Sequence, residues 1–171
     1  TMKSAFGPLK SSEEFRQIFL MVGDYKLLAV LIGAFLTLIV QSSSATIGIT
    51  LALASSGLLT FETSIALILG ENIGTTITAN LAAIGTSVAA RRTAFCHFLF
   101  NFIGVCYMLV LFDSFASFVN WITPGNPDLL VTTAAEAEIY GVAIGDSPYI
   151  ARHIANTHTF FNIVNTVWVF V

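Results

Sequence analysis

A long uncharged run, between Lys26 and Glu62, constrains the fold of this chain more than any other feature. Two further stretches, 72–90 and 93–112, also lack Asp, Glu, Lys and Arg. A helix needs about 20 apolar residues to cross a hydrocarbon core roughly 30 Å thick. The pattern predicts an all-α integral membrane protein, with several crossings of the cell (inner) membrane.

The composition excludes several classes of soluble protein. Charged residues make up 10% of the chain and hydrophobic residues 56%, whereas about 25% of an ordinary soluble domain is charged. A disordered chain would need the opposite composition. The net charge of −3 provides no basic patch, so nucleic acid is not an expected partner. Cys96 and Cys106 lie in an apolar run and are expected to be buried.

The segment 1–26 carries both positive and negative charges. Ser11 and Glu14 have the spacing of a capping box, in which two side chains satisfy backbone N–H groups at a helix start. Phe15 and Ile18 follow at the spacing of one helical face. We therefore predict that residues 1–26 form an amphipathic segment in the membrane interface.

Four polar side chains, Gln41-Ser42-Ser43-Ser44, interrupt the longest apolar run near its middle. The apolar arms on either side, 27–40 and 45–54, have a length that suits re-entrant segments better than full spans. We predict a re-entrant helical hairpin over 27–56 with the polar tip at depth. One long tilted helix is the alternative, but about thirty residues would reach ~45 Å, more than the core needs.

A second polar cluster lies between Gly70 and Asn80, where two glycines, one carboxylate and several Asn and Thr residues interrupt an apolar segment. Such interruptions are typical of discontinuous transmembrane helices. We predict a broken helix over 60–90. A spanning helix is predicted over 93–112, and Arg91-Arg92 before it favours a cytoplasmic start.

The remainder of the chain divides into a loop region and a last helix. The stretch 113–149 contains several acids, no Lys or Arg, and a Pro-Gly-Asn-Pro sequence, which predicts a loop region on the opposite side of the membrane. A final transmembrane helix is predicted over 150–171. The transporter core would then comprise residues 27–112.

An internal repeat relates two of these helices. The pattern His-x-x-Phe-Asn begins at His97 and occurs again from His158. Its three side chains share one helical face. The pattern predicts two related helices packed in one bundle, with the polar side chains forming interhelical hydrogen bonds; direct contact with a ligand is the alternative.

The chemistry of the two polar clusters suits small ions. Amide and hydroxyl oxygens are ligands for a hard cation, and the free N–H groups of a helix N-terminus attract an anion. An isolated serine in a membrane helix commonly bonds back to its own backbone. Two such clusters in one apolar chain are costly to satisfy in lipid unless they serve a function.

Four segments together resemble the type II sodium-phosphate cotransporters and their bacterial relatives. They are QSSSAT at 41–46, LGENIGTTITA at 69–79, and the two stretches 89–101 and 154–162. The resemblance implies one half of an inverted-repeat transporter, in which each half carries one QSSS hairpin and the two tips meet near mid-membrane. It implies inorganic phosphate as the substrate and sodium as the coupling ion.

The resemblance also implies a ligand set. The sodium ligands would be Gln41, Ser42, Thr75 and Thr78. The residues that face phosphate, or orient the other ligands, would be Ser43, Ser44, Asn72 and Thr76. The position before Asn72, often a small residue in the family, is Glu71, which would either assist a cation or face water at a helix end.

A single QSSS segment is present, and the continuation after the second cluster resembles the C-terminal half of the family. We expect the chain to be a fragment, since it starts at Thr1 and ends within an apolar segment. A second QSSS repeat, from the same chain or another subunit, would be its partner within the lipid bilayer.

The function predicted from the sequence is sodium-coupled phosphate symport by alternating access. The alternative is a membrane channel or structural subunit that uses the polar tips for pore lining or helix packing. Enzyme activity is not expected. A serine of 42–44 with His97 or His158 would need a nucleophile, a base and an orienting group within reach, and the spacing does not require this.

Overall fold

The computed structural model of the chain describes residue 23 and residues 25–170, without the side chains of 169 and 170. The interfacial segment predicted over 1–26 lies largely outside these residues. The described part contains seven α-helices and no strand, in agreement with the all-α prediction. They are α1 (Lys26–Val40), α2 (Ser43–Ser55), α3 (Phe61–Ala82), α4 (Val88–Val110), α5 (Phe112–Ile122), α6 (Ala134–Tyr140) and α7 (Ile150–Phe170).

The QSSS segment forms the break between α1 and α2. Gln41 ends α1 in the left-handed region, with φ 55° and ψ 24°, and its N–H donates to the Thr37 carbonyl at 2.8 Å. Ser42 then caps α2, because its hydroxyl oxygen accepts from the Ala45 N–H at 3.4 Å. The helices have 15 and 13 residues, so at about 1.5 Å per residue each is shorter than a hydrocarbon core.

Helices α1 and α3 pack backbone against backbone. A Cβ atom on Gly33 would overlap the Leu67 carbonyl, and one on Gly70 would overlap the Val30 carbonyl. A Cβ atom on Gly74, four residues after Gly70, would overlap the Ala34 carbonyl of α1, so the two glycines form a Gly-x-x-x-Gly face on α3. Small residues at this spacing allow close helix packing in membranes.

The broken helix predicted over 60–90 is wrong, because α3 is continuous over 22 residues. Its polar side chains donate to carbonyl oxygens three or four residues earlier on the same helix, at 2.7–2.9 Å, and so need no unwound backbone. These side chains are Asn72, Thr75, Thr76, Thr78 and Asn80. The glycines serve packing against α1 instead of a break.

Helix α4 starts earlier than predicted, at Val88 in place of residue 93. The Ser87 hydroxyl oxygen caps it by accepting from the Ala90 N–H at 3.3 Å, so Arg91 and Arg92 lie in its first turns. By length and composition α4 is the helix of the described chain that could cross a membrane, while α1 and α2 are shorter apolar helices. Cys96 and Cys106 are exposed on α4, so the expectation that they are buried is wrong.

The region 113–149 contains two short helices and is therefore more ordered than the predicted loop. Helix α5 forms because apolar residues at helical spacing, Phe112, Phe115 and Val119, are buried on one side. Helix α6 starts with a capping box formed by Thr133 and Glu136. The region predicted as a loop therefore consists of polar connecting segments together with two short helices.

The two copies of the His-x-x-Phe-Asn pattern lie on α4 and α7, which contact each other as predicted. In both copies the asparagine donates to the carbonyl of the histidine four residues earlier, at 3.1 and 2.7 Å. The interhelical bonds come from Asn165, which donates to the Phe100 carbonyl at 3.3 Å and accepts from the Tyr107 hydroxyl at 3.2 Å. The repeated asparagines, Asn101 and Asn162, therefore bond within their own helices and not across the helix interface as predicted.

Three contacts define the two ends of the bundle. Lys26 of α1 pairs with Asp113 of α5 at 2.6 Å, and the Phe61 N–H of α3 donates to the Asp128 carboxylate at 3.3 Å. At the other end, Asn80 donates to the Ala94 carbonyl at 2.8 Å and joins α3 to α4. The acidic loops and the Arg91-Arg92 pair thus lie at opposite ends.

Candidate ion-binding site

The QSSS turn places its polar groups at the start of α2. Gln41, Ser42 and Ser44 are exposed and Ser43 is half-buried. The first N–H groups of a helix have no partner within it, and the helix dipole makes this end partly positive. The backbone at Ser43 and Ser44 can therefore bind an anion, while the Gln41 and Ser42 side chains offer oxygens.

The second predicted cluster lies on one stretch of α3. Asn72, Thr75 and Thr78 are half-buried, and Thr76 is fully buried. Their amide and hydroxyl groups donate to the helix backbone. Their oxygens keep lone pairs, which suit a hard cation.

Two buried threonines that are not among the predicted ligands, Thr37 and Thr46, connect the two polar clusters. A Cβ atom on Gly74 would lie 2.7 Å from the Thr37 Cβ atom, and the Thr37 hydroxyl donates to the Thr46 hydroxyl at 3.1 Å. The Thr46 hydroxyl in turn lies 3.0 Å from the Ser43 carbonyl oxygen. Both threonines are 0% exposed.

This chain of contacts places the QSSS turn beside the polar stretch of α3. No described hydrogen bond directly joins the ligands predicted on the turn to those predicted on α3. A sequence signal for the connecting residues existed, since Thr37 and Thr46 each lie about one helical turn from the break. Sequence reasoning missed them because isolated threonines are common in apolar helices.

Glu71 lies in the interface between α3 and α2, with 1% of its surface exposed. The Thr50 hydroxyl donates to its Oε1 atom at 2.7 Å, while Oε2 has no hydrogen-bond partner among the described residues. Thr50 is also buried, at 1% exposure. Glu71 therefore does not face water at a helix end, and that alternative is wrong.

Three cavities of the described chain lie elsewhere. Their volumes are about 540, 250 and 180 Å³, and they are lined by residues other than the eight predicted ligands. The first lies between the end of α3 and the start of α4 and is lined mainly by alanines. The predicted ligands instead occupy an open turn and a helix face.

Comparison with known proteins identifies the family. The model of the Na⁺/Pi-cotransporter family matches residues 1–123, which include both polar clusters. The chain belongs to this family. All eight predicted ligands lie within the matched part of this cotransporter-family chain.

Individual relatives cover parts of the chain. It is 36% identical over 118 residues to the uncharacterized protein YqeW of Bacillus subtilis, covering 69% of this chain and 38% of YqeW. It is 46% identical over 82 residues to human sodium-dependent phosphate transport protein 2B, covering 46% of this chain and 12% of that protein. Rat sodium-dependent phosphate transport protein 2C is 43% identical over 82 residues, which are 46% of this chain and 14% of that protein. No solved structure matches the chain.

Proposed function

We propose that this chain forms half of the ion-binding site of a sodium-coupled phosphate symporter. The observation that carries the proposal is the left-handed break at Gln41, which opens the α2 N-terminus beside the polar stretch of α3 in a chain of this family. A broken helix pair of this kind offers N–H donors to an anion and oxygens to a cation.

Phosphate would bind at the start of α2. The N–H groups and hydroxyls of Ser43 and Ser44 donate to its oxygens, and the helix dipole favours its negative charge. Asn72 is half-buried and contributes from α3. Thr76 is fully buried with its hydroxyl bonded to the Ile73 carbonyl at 2.7 Å, so it orients α3 and does not itself touch phosphate.

Sodium would bind to the uncharged oxygens of Gln41, Ser42, Thr75 and Thr78. Neutral ligands keep such a site reversible, since a fixed charge in the membrane is costly and retains its counter-ion. Sodium bound beside phosphate lowers the cost of placing an anion in a dry site. Phosphate raises sodium affinity by the same factor, because the coupling of two binding equilibria is reciprocal.

Helix length supports a re-entrant placement of this hairpin in the membrane. Gly74 meets α1 at Ala34 and Thr37, and the QSSS turn begins four residues after Thr37, about 6 Å further along α1 at roughly 1.5 Å per residue. The hairpin of α1 and α2 would enter the membrane and turn back within it, because each arm is shorter than a hydrocarbon core. A second QSSS repeat would complete the site, and alternating access would follow from movement of one repeat against the other.

The test is uptake of radiolabelled phosphate by the full-length protein in sealed vesicles. An inward sodium gradient should drive accumulation above the external concentration, which a channel cannot produce. Uptake that is indifferent to the sodium gradient would reject sodium coupling, and passive equilibration would favour the channel alternative.

Replacement of a predicted sodium ligand tests the site itself. Gln41→Ala and Thr75→Ala should each raise the sodium concentration for half-maximal uptake about tenfold, because a bond to a charged group contributes about 1.5 kcal/mol or more. Thr159→Ala is the matched control, since this exposed threonine only bonds the Ala155 carbonyl on α7. Normal sodium dependence in both site variants would show that the ligand set is wrong.

A further inference from the structure

Glu71 is a buried carboxylate that the proposed phosphate and sodium ligands do not use. Its described side-chain hydrogen bond comes from the Thr50 hydroxyl, 2.7 Å from Oε1. Its Oε2 atom is inaccessible to solvent and has no partner in the described part of the chain. A carboxylate held in a dry helix interface with one neutral donor is unstable unless something neutralises it.

No basic side chain of the described helices is available for this purpose. Lys26 pairs with Asp113 at 2.6 Å, and α2 and α3 contain no Lys or Arg. The arginines of the described chain, Arg91, Arg92 and Arg152, are exposed near the starts of α4 and α7. No hydrogen bond or ion pair among the described residues joins Glu71 to a Lys, Arg or His side chain, and the buried His153 ring packs against Phe61, ten residues earlier on α3.

The neighbouring hydroxyls suit a hard monovalent cation. Thr50 and Thr46 lie one turn apart on the same face of α2, and both are buried. The Thr46 hydroxyl lies 3.2 and 3.0 Å from the carbonyl oxygens of Ser42 and Ser43. The Thr46 and Thr50 hydroxyls thus lie in succession on one face of α2, Thr46 bonded to the QSSS turn and Thr50 bonded to the Glu71 carboxylate.

We propose that the Glu71 carboxylate and the Thr50 hydroxyl form a second cation site, further along α2 than the QSSS turn and inside this half of the protein. Carboxylate and hydroxyl oxygens are preferred ligands of hard cations, and one carboxylate neutralises one monovalent ion. The identity of that ion as sodium rests on the proposed function. The site itself rests on the burial and the unpartnered oxygen of Glu71.

This second cation would also control phosphate binding. Glu71 precedes the predicted phosphate contact Asn72, so an unneutralised carboxylate repels the anion across a medium of low dielectric constant. A cation at Glu71 removes this repulsion. Binding of phosphate is then coupled to occupation of both cation sites.

The experiment measures sodium binding and transport separately in the full-length protein. Sodium is exchanged for choline at constant ionic strength, and the thermal stability of the detergent-solubilised protein is followed, because a ligand bound to the native state raises stability. Phosphate uptake in vesicles gives the Hill coefficient for sodium. Glu71→Gln and Thr50→Val are compared with two matched controls, Glu62→Gln at the exposed start of α3 and Thr157→Val in the core of α7.

Glu71→Gln should lower the Hill coefficient for sodium by about one and reduce the sodium-dependent rise in melting temperature, while phosphate uptake persists. Thr50→Val should keep the Hill coefficient and raise the sodium requirement about tenfold, a factor that corresponds to about 1.4 kcal/mol. Both controls should behave as the wild type.

Three results distinguish failure of the second cation site from failure of the proposed function. An unchanged Hill coefficient and unchanged sodium stabilisation in Glu71→Gln overturn the second site and leave the proposed function intact. If uptake by the wild type, measured also across a pH series, varies with pH, and Glu71→Gln loses that variation but keeps its sodium dependence, a proton occupies Glu71, which also overturns the sodium site. If the wild type shows no sodium-driven uptake, the proposed function fails, and sodium-dependent stability alone then decides whether Glu71 binds the ion.

Discussion

At the scale of single residues, Gln41 has a backbone conformation that few side chains adopt. Its φ of 55° and ψ of 24° lie in the left-handed region, which costs roughly 1–2 kcal/mol for a residue other than glycine. The conformation allows the Gln41 N–H to close α1 on Thr37 while Ser42 opens α2. Because glycine would avoid this cost, a glutamine here indicates that the side chain makes an interaction that glycine cannot make, which we propose is a bond to sodium.

The backbone and side-chain roles of Gln41 can be separated by comparing two variants. Gln41→Gly should leave the melting temperature unchanged or higher, because glycine adopts positive φ freely, yet it should lose sodium affinity as Gln41→Ala does. Gln41→Ala should in addition lower stability relative to Gln41→Gly by about 1 kcal/mol. Thermal unfolding in detergent and sodium titration of uptake provide the two measurements. Normal sodium affinity in Gln41→Gly would show that only the turn geometry matters.

At the scale of helices, the contact between α1 and α3 fixes the position of the α1–α2 hairpin relative to α3. Gly33, Gly70 and Gly74 bring the two backbones so close that an added Cβ would overlap backbone atoms of the facing helix. The polar stretch of α3 is thereby held beside the end of α1. The position of the QSSS turn relative to Thr75 and Thr78 follows from this packing.

A methyl group at the helix contact should therefore weaken the protein. Gly70→Ala should lower stability by about 1–3 kcal/mol, since its Cβ would overlap the Val30 carbonyl and one helix must move. Gly48→Ala in α2 is the matched control, because no atom lies within 4 Å of its added Cβ, and it should raise helix stability by about 0.5–1 kcal/mol. Equal melting temperatures for the two variants would contradict the described contact.

At the scale of the whole molecule, charge and helix length indicate an orientation. Helix α4 has 23 residues and is long and apolar enough to cross a membrane. The Arg91-Arg92 pair lies in its first turns, and the acidic region around Asp113 and Asp128 lies at its other end. An excess of Lys and Arg is typical of the cytoplasmic side.

Labelling from each side of the membrane tests this orientation. In a background with Cys96 and Cys106 replaced by serine, a Thr86→Cys variant should react with an impermeant thiol reagent only from the cytoplasm. An Asn126→Cys variant, altered in the exposed loop after α5, should react only from the other side. Labelling of both positions from one side would contradict a single crossing by α4.

The all-helical fold and the position of the break at the QSSS segment could be predicted from the sequence because both depend on local properties. A run of apolar residues selects the membrane, and a short polar interruption such as Gln41-Ser42 favours a turn within it. The predicted break in α3 failed, because a Thr or Asn side chain can satisfy itself on its own helix, and local composition does not distinguish this from an unwound segment.

The sequence by itself determined the family, the helical class and the two polar clusters, since each is written in contiguous residues and their spacing. Only the tertiary structure decided that α3 is continuous, that its glycines pack against α1, and that Glu71 is buried against Thr50. Those properties depend on which residue of a distant helix faces a given position. The packing of α1, α2 and α3 sets that pairing, and local sequence does not encode it.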